Sequence, residues 1–213
     1  MSTLLRRALI VIDVQNEYVT SANGQLPIEY PAIEHSLSNI GRAMDAAASA
    51  GIPIIVVQNT TPAGAPLFAR GSHGWQLHEV VASRPYQHLV DKSLPSAFAN
   101  TSLHGWLTEH GIDTLSVVGY MTHNCVAATV FDALHAGIAA EVLHDATGSV
   151  PYANRAGTVS AAEIHAAFTV VFQSRFAAVL STDEWIAAVK DQLAPERDTI
   201  FGSNQRARLG AGG

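Results

Sequence analysis

The only cysteine of the chain, Cys125, stands between two different local patterns. It follows the apolar run TLSVVG (residues 114–119), which is typical of a buried strand, and it precedes apolar residues at helical spacing, Val126, Val130, Ala133 and Leu134. A thiol at the start of a helix lies near the positive end of the helix dipole, which favours the nucleophilic thiolate. A buried and inert cysteine is the interpretation that this position alone leaves open.

Two charged residues lie at the ends of other predicted strands. Asp13 is near the end of ALIVIDV (residues 8–14), and Lys92 is near the end of QHLVDKS (residues 87–93). Ligands of open α/β sheets bind at the carboxyl ends of the strands, so these two charges and Cys125 are expected at one edge. There a carboxylate could take the thiol proton and pass it to a leaving group. Singly, Asp13 could cap a turn and Lys92 could be a solvated surface lysine.

Apolar runs of strand length alternate with helical patterns along the chain. Several runs are apolar on both faces, as in a parallel sheet that helices cover on both sides. Gly-Ile pairs at residues 51–52, 111–112 and 137–138 each follow a helical pattern and start the next apolar segment. The alternation predicts an open parallel α/β sheet. The predicted strands are residues 8–14, 52–58, 87–93, 114–119, 139–145 and 176–182, and the predicted helices lie within 33–44, 103–107, 126–134, 164–172 and 183–193.

Composition narrows the class of protein. The chain has 213 residues, 48% of them apolar, which favours one domain with a large core. Its net charge of −6 and scattered basic residues argue against nucleic-acid binding. No apolar stretch is long enough for a membrane span, and the apolar run after the first arginines is too short for a signal peptide. With a single cysteine, these features predict a cytoplasmic protein.

Three separated segments resemble the isochorismatase-like family of cysteine hydrolases. They are ALIVIDVQNEY with Asp13, DKSLPSAFANTSLHGWL with Lys92, and VVGYMTHNCVAATVFDALHAG with Cys125. The resemblance extends from about residue 8 to residue 185. It implies a Rossmann-like, three-layer α/β/α sandwich around a mostly parallel, six-stranded sheet. The hydrolase domain is expected over residues 1–194, and the Gly-rich tail, residues 195–213, is expected to be flexible or to contact another subunit.

The resemblance also implies a role for each residue of the site. Cys125 would be the nucleophile, Asp13 the general base and then the acid, and Lys92 the cation that holds Asp13 ionised. The peptide bond between Tyr120 and Met121 would be cis. The main-chain N–H groups of Met121 and Cys125 would form an oxyanion hole.

Substrate contacts are expected first from Trp75, which lies in the long segment 60–84 that has no clear periodicity. A core position for Trp75 is the alternative. Further candidates for substrate contact are Tyr18, Phe98 and His123.

The resemblance favours hydrolysis of a carbon–nitrogen bond in a small molecule, because Cys125 could form a thioester. Amide, carbamoyl and lactam substrates remain open. The alternatives are vinyl-ether hydrolysis of the isochorismatase type and a non-catalytic binding protein. Nicotinamidases of the family bind a metal through an Asp-x-His motif, and this chain has Asn59, Thr60 and Thr61 in that place. We therefore expect no metal and no other cofactor.

A homodimer or homotetramer is expected, both from the resemblance and from one helix. Its apolar residues cover a wider arc than a single core-facing stripe needs. The alternative is that the last predicted helix, which contains Trp185, covers this arc. The residues of the arc are Ile164, Phe168, Val171, Phe172 and Phe176.

Overall fold

The computed structural model describes residues 5–210 and contains a central sheet of six parallel strands. Along this sheet the strand order is β3-β2-β1-β4-β5-β8, with β6 and β7 forming a separate antiparallel hairpin. The parallel sheet confirms the predicted α/β sandwich. The strands are β1 Arg7–Ile12, β2 Ile54–Asn59, β3 His88–Lys92, β4 Thr114–Tyr120, β5 Ala139–Gly148, β6 Tyr152–Asn154, β7 Gly157–Val159 and β8 Ala178–Leu180.

Helices cover both faces of the sheet. Helices α1 and α6 pack on one face through Ile40, Met44 and Trp185, and helices α3 and α4 pack on the other through residues such as Leu107 and Val130. No helix among the described residues is long and apolar enough to cross a membrane. The helices are α1 Ile33–Ser49, α2 Glu79–Ala82, α3 Leu103–Glu109, α4 Ala127–His135, α5 Ala161–Val171, α6 Thr182–Lys190 and α7 Ile200–Arg208, and π-helical turns precede α4 (Thr122–Val126) and follow α5 (Phe172–Phe176).

The central strand β1 is buried along its whole length, because each of its faces contributes to a different core. Leu9 and Val11 point into the core on the α1 side, whereas Ile10 and Ile12 point into the core on the α4 side. This double burial explains why the strands are continuous apolar runs in the sequence instead of alternating ones.

The apolar arc of α5 is not covered by the helix that contains Trp185. Trp185 packs in the core on the α1 side, whereas Phe172 lies in the core on the opposite face. Phe131 of α4 partly covers the arc, with its ring centroid 4.5 Å from that of Phe176. Val171 remains 44% exposed. The alternative that the last predicted helix covers this arc is therefore wrong.

The short helix α2, the hairpin β6–β7 and helix α7 were not predicted from the sequence. The hairpin β6–β7 follows β5 directly, and helix α7 lies within the tail, where none of its residues is buried. The tail before α7 is held by Arg197, which donates to the main-chain carbonyls of Ala140 and Phe176 at 3.2 and 3.4 Å. A flexible or subunit-contacting role for residues 195–213 stays a prediction.

Candidate active site

The side chains of Asp13, Lys92 and Cys125 meet at the carboxyl ends of the parallel strands. The Nζ atom of Lys92 lies 2.7 Å from Oδ2 of Asp13 and donates a hydrogen bond of 3.3 Å to Sγ of Cys125. All three are buried, with exposed fractions of 0% for Asp13, 3% for Lys92 and 6% for Cys125. Oδ1 of Asp13 has no hydrogen-bond partner among the described residues. An acceptor is thus left available beside the thiol.

The topology of the sheet brings these three residues together from distant parts of the sequence. Asp13 directly follows β1, Lys92 is the last residue of β3 and reaches across β2, and Cys125 lies in the π-helical turn after β4. Asp13 has a φ of 52°, in the left-handed region that non-glycine residues adopt infrequently. Such backbone strain is common at functional sites. With this conformation, the carboxylate of Asp13 lies at the end of β1 instead of on one face of the sheet.

A glycine is required where β4 passes the end of β1. Gly119 has a φ of 106°, and a Cβ atom there would lie 2.1 Å from the carbonyl oxygen of Ile12. Any other side chain would push the turn that carries Cys125 away from Asp13. The glycine in GYMTHNC therefore fixes the distance between Cys125 and Asp13.

Burial dominates the electrostatics of the site. Burial, the largest cause, and the charge of Asp13 together raise the pKa of the Cys125 thiol to about 12, and Lys92 opposes both. Burial also raises the pKa of Asp13, although Lys92 lowers it. For Lys92, burial opposes the charged form, but Asp13 and Cys125 keep the pKa above its ordinary value. At neutral pH the resting thiol is therefore protonated, contrary to the thiolate expected from the helix dipole.

The turn that carries Cys125 begins with a cis peptide bond between Tyr120 and Met121. The carbonyl of Met121 accepts hydrogen bonds from the amides of Asn124 and Val126, at 3.0 and 3.2 Å. This leaves the Cys125 amide, which lies between these two donors, without a bond to that carbonyl. The oxyanion hole formed by Met121 and Cys125 stays a prediction that this geometry permits.

Trp75 lies beside the ends of β2 and β3. Its Nε1 donates to Oγ1 of Thr60 at 2.8 Å, and the guanidinium of Arg70 lies 5.9 Å from the centre of the indole ring. Its main-chain carbonyl accepts hydrogen bonds from the side chains of Gln15 and Gln58, at 2.7 and 2.9 Å. The side chain is half-buried at this edge of the sheet. A contact between Trp75 and substrate stays a prediction.

The other three candidates for substrate contact occupy different sides of the site. Tyr18 is buried against Phe68 and Tyr120, and its pKa is raised by burial and by the charges of Asp13 and Cys125. Phe98 is half-buried and packs against the core that includes Cys125. His123 lies two residues before Cys125 in the same turn.

Sequence reasoning missed several residues that shape the site. Thr122, next to the cis bond, pairs through Oγ1 with Nδ1 of the buried His165 at 3.0 Å. Tyr152, in β6, contacts His123. Glu17 accepts main-chain hydrogen bonds from Gln25 and Phe68, at 2.8 and 3.2 Å. Thr122 and Glu17 lie within the quoted segments, but no local pattern marks their contacts, because most of their partners are distant in the sequence.

No group of three metal-ligating side chains that could hold an ion occurs within residues 5–210. Asn59 ends β2, and Thr60 and Thr61 follow it, where the nicotinamidase motif would stand. The main-chain N–H and carbonyl of Asn59 exchange hydrogen bonds of 3.0 Å with the side chain of Gln15, and the Thr60 hydroxyl accepts from Nε1 of Trp75. These polar groups therefore hold protein segments together. Metal independence of the protein stays a prediction.

Comparison with known proteins identifies the family of the chain. A sequence profile of the isochorismatase domain matches residues 7–184. A solved protein of the isochorismatase group, from Burkholderia xenovorans LB400, has 62% sequence identity and a TM-score of 0.95, over 99% of this chain and 100% of that chain. The isochorismatase family protein YddQ of Bacillus subtilis is 31% identical over 180 residues, 84% of this chain and 98% of its own length. A streptothricin hydrolase of Streptomyces noursei is 34% identical over 140 residues, 66% of this chain and 49% of that enzyme. The chain therefore belongs to the isochorismatase family.

Proposed function

We propose that this protein hydrolyses a carbon–nitrogen bond of a small molecule through a thioester on Cys125. The observation that carries the proposal is the buried contact of Lys92 with both Asp13 and Cys125, at 2.7 and 3.3 Å. Because the thiol is protonated at rest, the reaction needs a base beside it. Asp13 is that base, and Lys92 keeps it ionised.

In the first half of the reaction, the Asp13 carboxylate takes the thiol proton as Sγ attacks the substrate carbonyl. The carbonyl oxygen gains the negative charge, and the main-chain amides of Met121 and Cys125 stabilise it. The protonated Asp13 then gives its proton to the departing nitrogen. The carbon–nitrogen bond breaks, an amine leaves, and the acyl group remains on sulfur.

In the second half, water replaces the amine. The Asp13 carboxylate takes a proton from this water as its oxygen attacks the thioester carbonyl. The carbon–sulfur bond breaks, and the proton on Asp13 returns to the sulfur of Cys125. The acid product leaves, and all three side chains regain their starting protonation states.

The thiol of Cys125 favours hydrolysis of a carbon–nitrogen bond over hydrolysis of a vinyl ether. A vinyl ether has no acyl carbon for the thiol to attack, so Cys125 and its base would have no covalent role there. Among the relatives, the streptothricin hydrolase is a named hydrolase within the family. The substrate in that enzyme's name is not assigned to this protein. Amides, carbamoyl compounds and lactams are the substrate classes that we propose, with no cofactor.

A screen of simple amides, carbamoyl compounds and lactams against isochorismate tests the proposal. We expect turnover with a member of the first group and an acyl adduct on Cys125 by mass spectrometry. Cys125→Ser keeps the volume of the side chain but loses the good nucleophile, so its turnover should fall by ~10³ or more. An unchanged melting temperature is the control for folding. Turnover of isochorismate alone, or a Cys125→Ser rate above a tenth of wild type, would overturn the proposal.

A further inference from the structure

A hydrogen-bonded chain of three side chains stands beside the nucleophile. In His123, Nδ1 lies 3.1 Å from Oγ of Ser149, and Nε2 lies 3.0 Å from the hydroxyl of Tyr152. The rings of His123 and Tyr152 meet edge to face, with centroids 5.1 Å apart. His123 belongs to the same π-helical turn as Cys125. The Tyr152 hydroxyl is thus tied to the turn that positions the sulfur.

The strand order places these three hydrogen-bonded side chains on one flank of Cys125. Asp13 follows β1, on one side of β4, whereas Ser149 and Tyr152 follow β5, on the other side. The departing nitrogen of the substrate must face Asp13 to receive its proton. The acyl portion, which stays on sulfur, therefore extends toward the flank of Tyr152.

A neutral His123 and the hydroxyls of Ser149 and Tyr152 have three donor hydrogens, and the two hydrogen bonds between them use only two. Burial lowers the pKa of His123, so its ring is neutral at neutral pH. The tautomer protonated on Nδ1 would leave the hydroxyl proton of the fully buried Ser149 over, so the tautomer protonated on Nε2 is favoured. In it the Ser149 hydroxyl donates to Nδ1, and Nε2–H donates to the Tyr152 oxygen. The hydroxyl proton of Tyr152 is then free to bond a ligand. Burial and the charge of Cys125 both raise the pKa of Tyr152, which agrees with a neutral hydroxyl close to the sulfur.

We propose that Tyr152, oriented by His123 and Ser149, is a specificity residue that donates a hydrogen bond to the acyl portion of the substrate. The preferred acyl groups carry a neutral acceptor, such as a carbonyl oxygen, a few bonds from the reacting carbon. This inference rests on the proposed function, since it takes the acyl group to remain on Cys125. It goes beyond that function by naming which half of the substrate is recognised and by what chemistry. A site built to donate a hydrogen bond discriminates against analogues that lack the acceptor.

Matched acyl probes test this inference. The p-nitrophenyl esters of 4-oxopentanoate and 5-oxohexanoate carry a ketone acceptor, and those of pentanoate and hexanoate do not. For wild type we expect at least one oxo ester to have the higher kcat/KM of its pair. In Tyr152→Phe that preference should fall about 3- to 10-fold, as for the loss of one neutral hydrogen bond. Tyr86→Phe, at a partly exposed tyrosine before β3, is the control that keeps the wild-type preference.

The outcomes separate this inference from the proposed function. Acylation of Cys125 with an unchanged preference in Tyr152→Phe, or with no preference in wild type, overturns the inference and leaves the thioester proposal standing. If none of these esters acylates Cys125, the thioester proposal is judged by the amide screen above, and protection of the thiol from iodoacetamide decides the inference. In that assay 4-oxopentanamide should protect wild type better than pentanamide does, and this advantage should vanish in Tyr152→Phe. Equal protection by the two amides in wild type overturns the inference.

Discussion

At the residue scale, the protonation of Cys125 is decided by burial more than by the helix that follows it. The dipole of a helix is worth about 0.3–1 kcal/mol to a charge at its end, which is less than one unit of pKa. Removal of the thiol from water and the neighbouring charge of Asp13 outweigh it and raise the pKa to about 12. The position of Cys125 before a helix could be predicted from the sequence, because the pattern is local. Its protonation could not, because burial depends on segments distant in the chain.

Opposite charges on the two neighbours of Cys125 lead to opposite predictions. Asp13→Asn removes a negative charge and should lower the pKa of the thiol, whereas Lys92→Met removes a positive charge and should raise it. Both variants should lose turnover, because one lacks the base and the other leaves that base unpaired. Asp91→Asn is the control, since Asp91 is next to Lys92 in sequence but pairs with the exposed Arg70.

The thiolate absorbance at one fixed alkaline pH measures this effect, with Cys125→Ser as the blank. Asp13→Asn should show more thiolate than wild type, Lys92→Met less, and Asp91→Asn the same amount. A shift in the same direction for Asp13→Asn and Lys92→Met would contradict the assigned charges. Retained turnover in Asp13→Asn would remove Asp13 from the mechanism.

At the element scale, strands were easier to predict than their arrangement. Each strand of the parallel sheet is a short apolar run, since helices bury both of its faces. The hairpin β6–β7 was missed because the residues of Tyr152–Asn154 are exposed and carry no apolar alternation. Helix α7 was missed because no apolar stripe of it faces the core. Strand order also has no local signal, and it is this order that puts Tyr152 beside Cys125.

One buried carboxylate, that of Glu17, helps to hold the segment 60–84, which has no clear periodicity in the sequence. Glu17 is 4% exposed; its Oε1 accepts from the amide of Gln25, and its Oε2 accepts from that of Phe68. Glu17→Gln replaces one acceptor with an NH2 group that faces a main-chain N–H. We expect the free energy of unfolding to fall by about 1–3 kcal/mol. Glu29→Gln is the control, at an exposed glutamate in the same region.

Chemical denaturation measures the stability change, and limited proteolysis locates it. In Glu17→Gln, cleavage should appear first within residues 60–84, because Phe68 loses its anchor. Equal stability of Glu17→Gln and Glu29→Gln would show that the carboxylate does not hold this segment.

At the scale of the whole molecule, we expect catalysis to be independent of added metal. The reaction proposed here uses Asp13, Lys92, Cys125 and main-chain amides only. Gln15 binds the main chain of Asn59 at the end of β2, and Trp75 binds the hydroxyl of Thr60. Exhaustive chelation followed by dialysis should leave kcat/KM unchanged. Activity that falls with chelator and returns with zinc, iron or manganese would show that the site needs an ion.

An exposed apolar face leads to the last prediction, which concerns assembly. Val170 and Val171 of α5 are 64% and 44% exposed, and Phe201 of α7 is 75% exposed. Helix α7 contacts the turn Phe172–Phe176 that ends α5, so these residues belong to one end of the molecule. Large apolar side chains exposed at one end of a molecule often mark a surface that a partner covers. We propose that a second copy of the chain covers it, in a dimer or tetramer.

Light scattering at micromolar concentration measures the mass. Wild type should show a multiple of the chain mass of 22.5 kDa, and the double variant Val170→Glu with Phe201→Glu should move toward the single chain. Each glutamate would have to be buried in the assembled face, and an unpaired buried charge is strongly unfavourable. Leu89→Glu, at an exposed leucine on the edge strand β3, is the control and should leave the mass unchanged. A wild-type mass of one chain would refute assembly, and dissociation by Leu89→Glu alone would place the interface on the β3 edge instead.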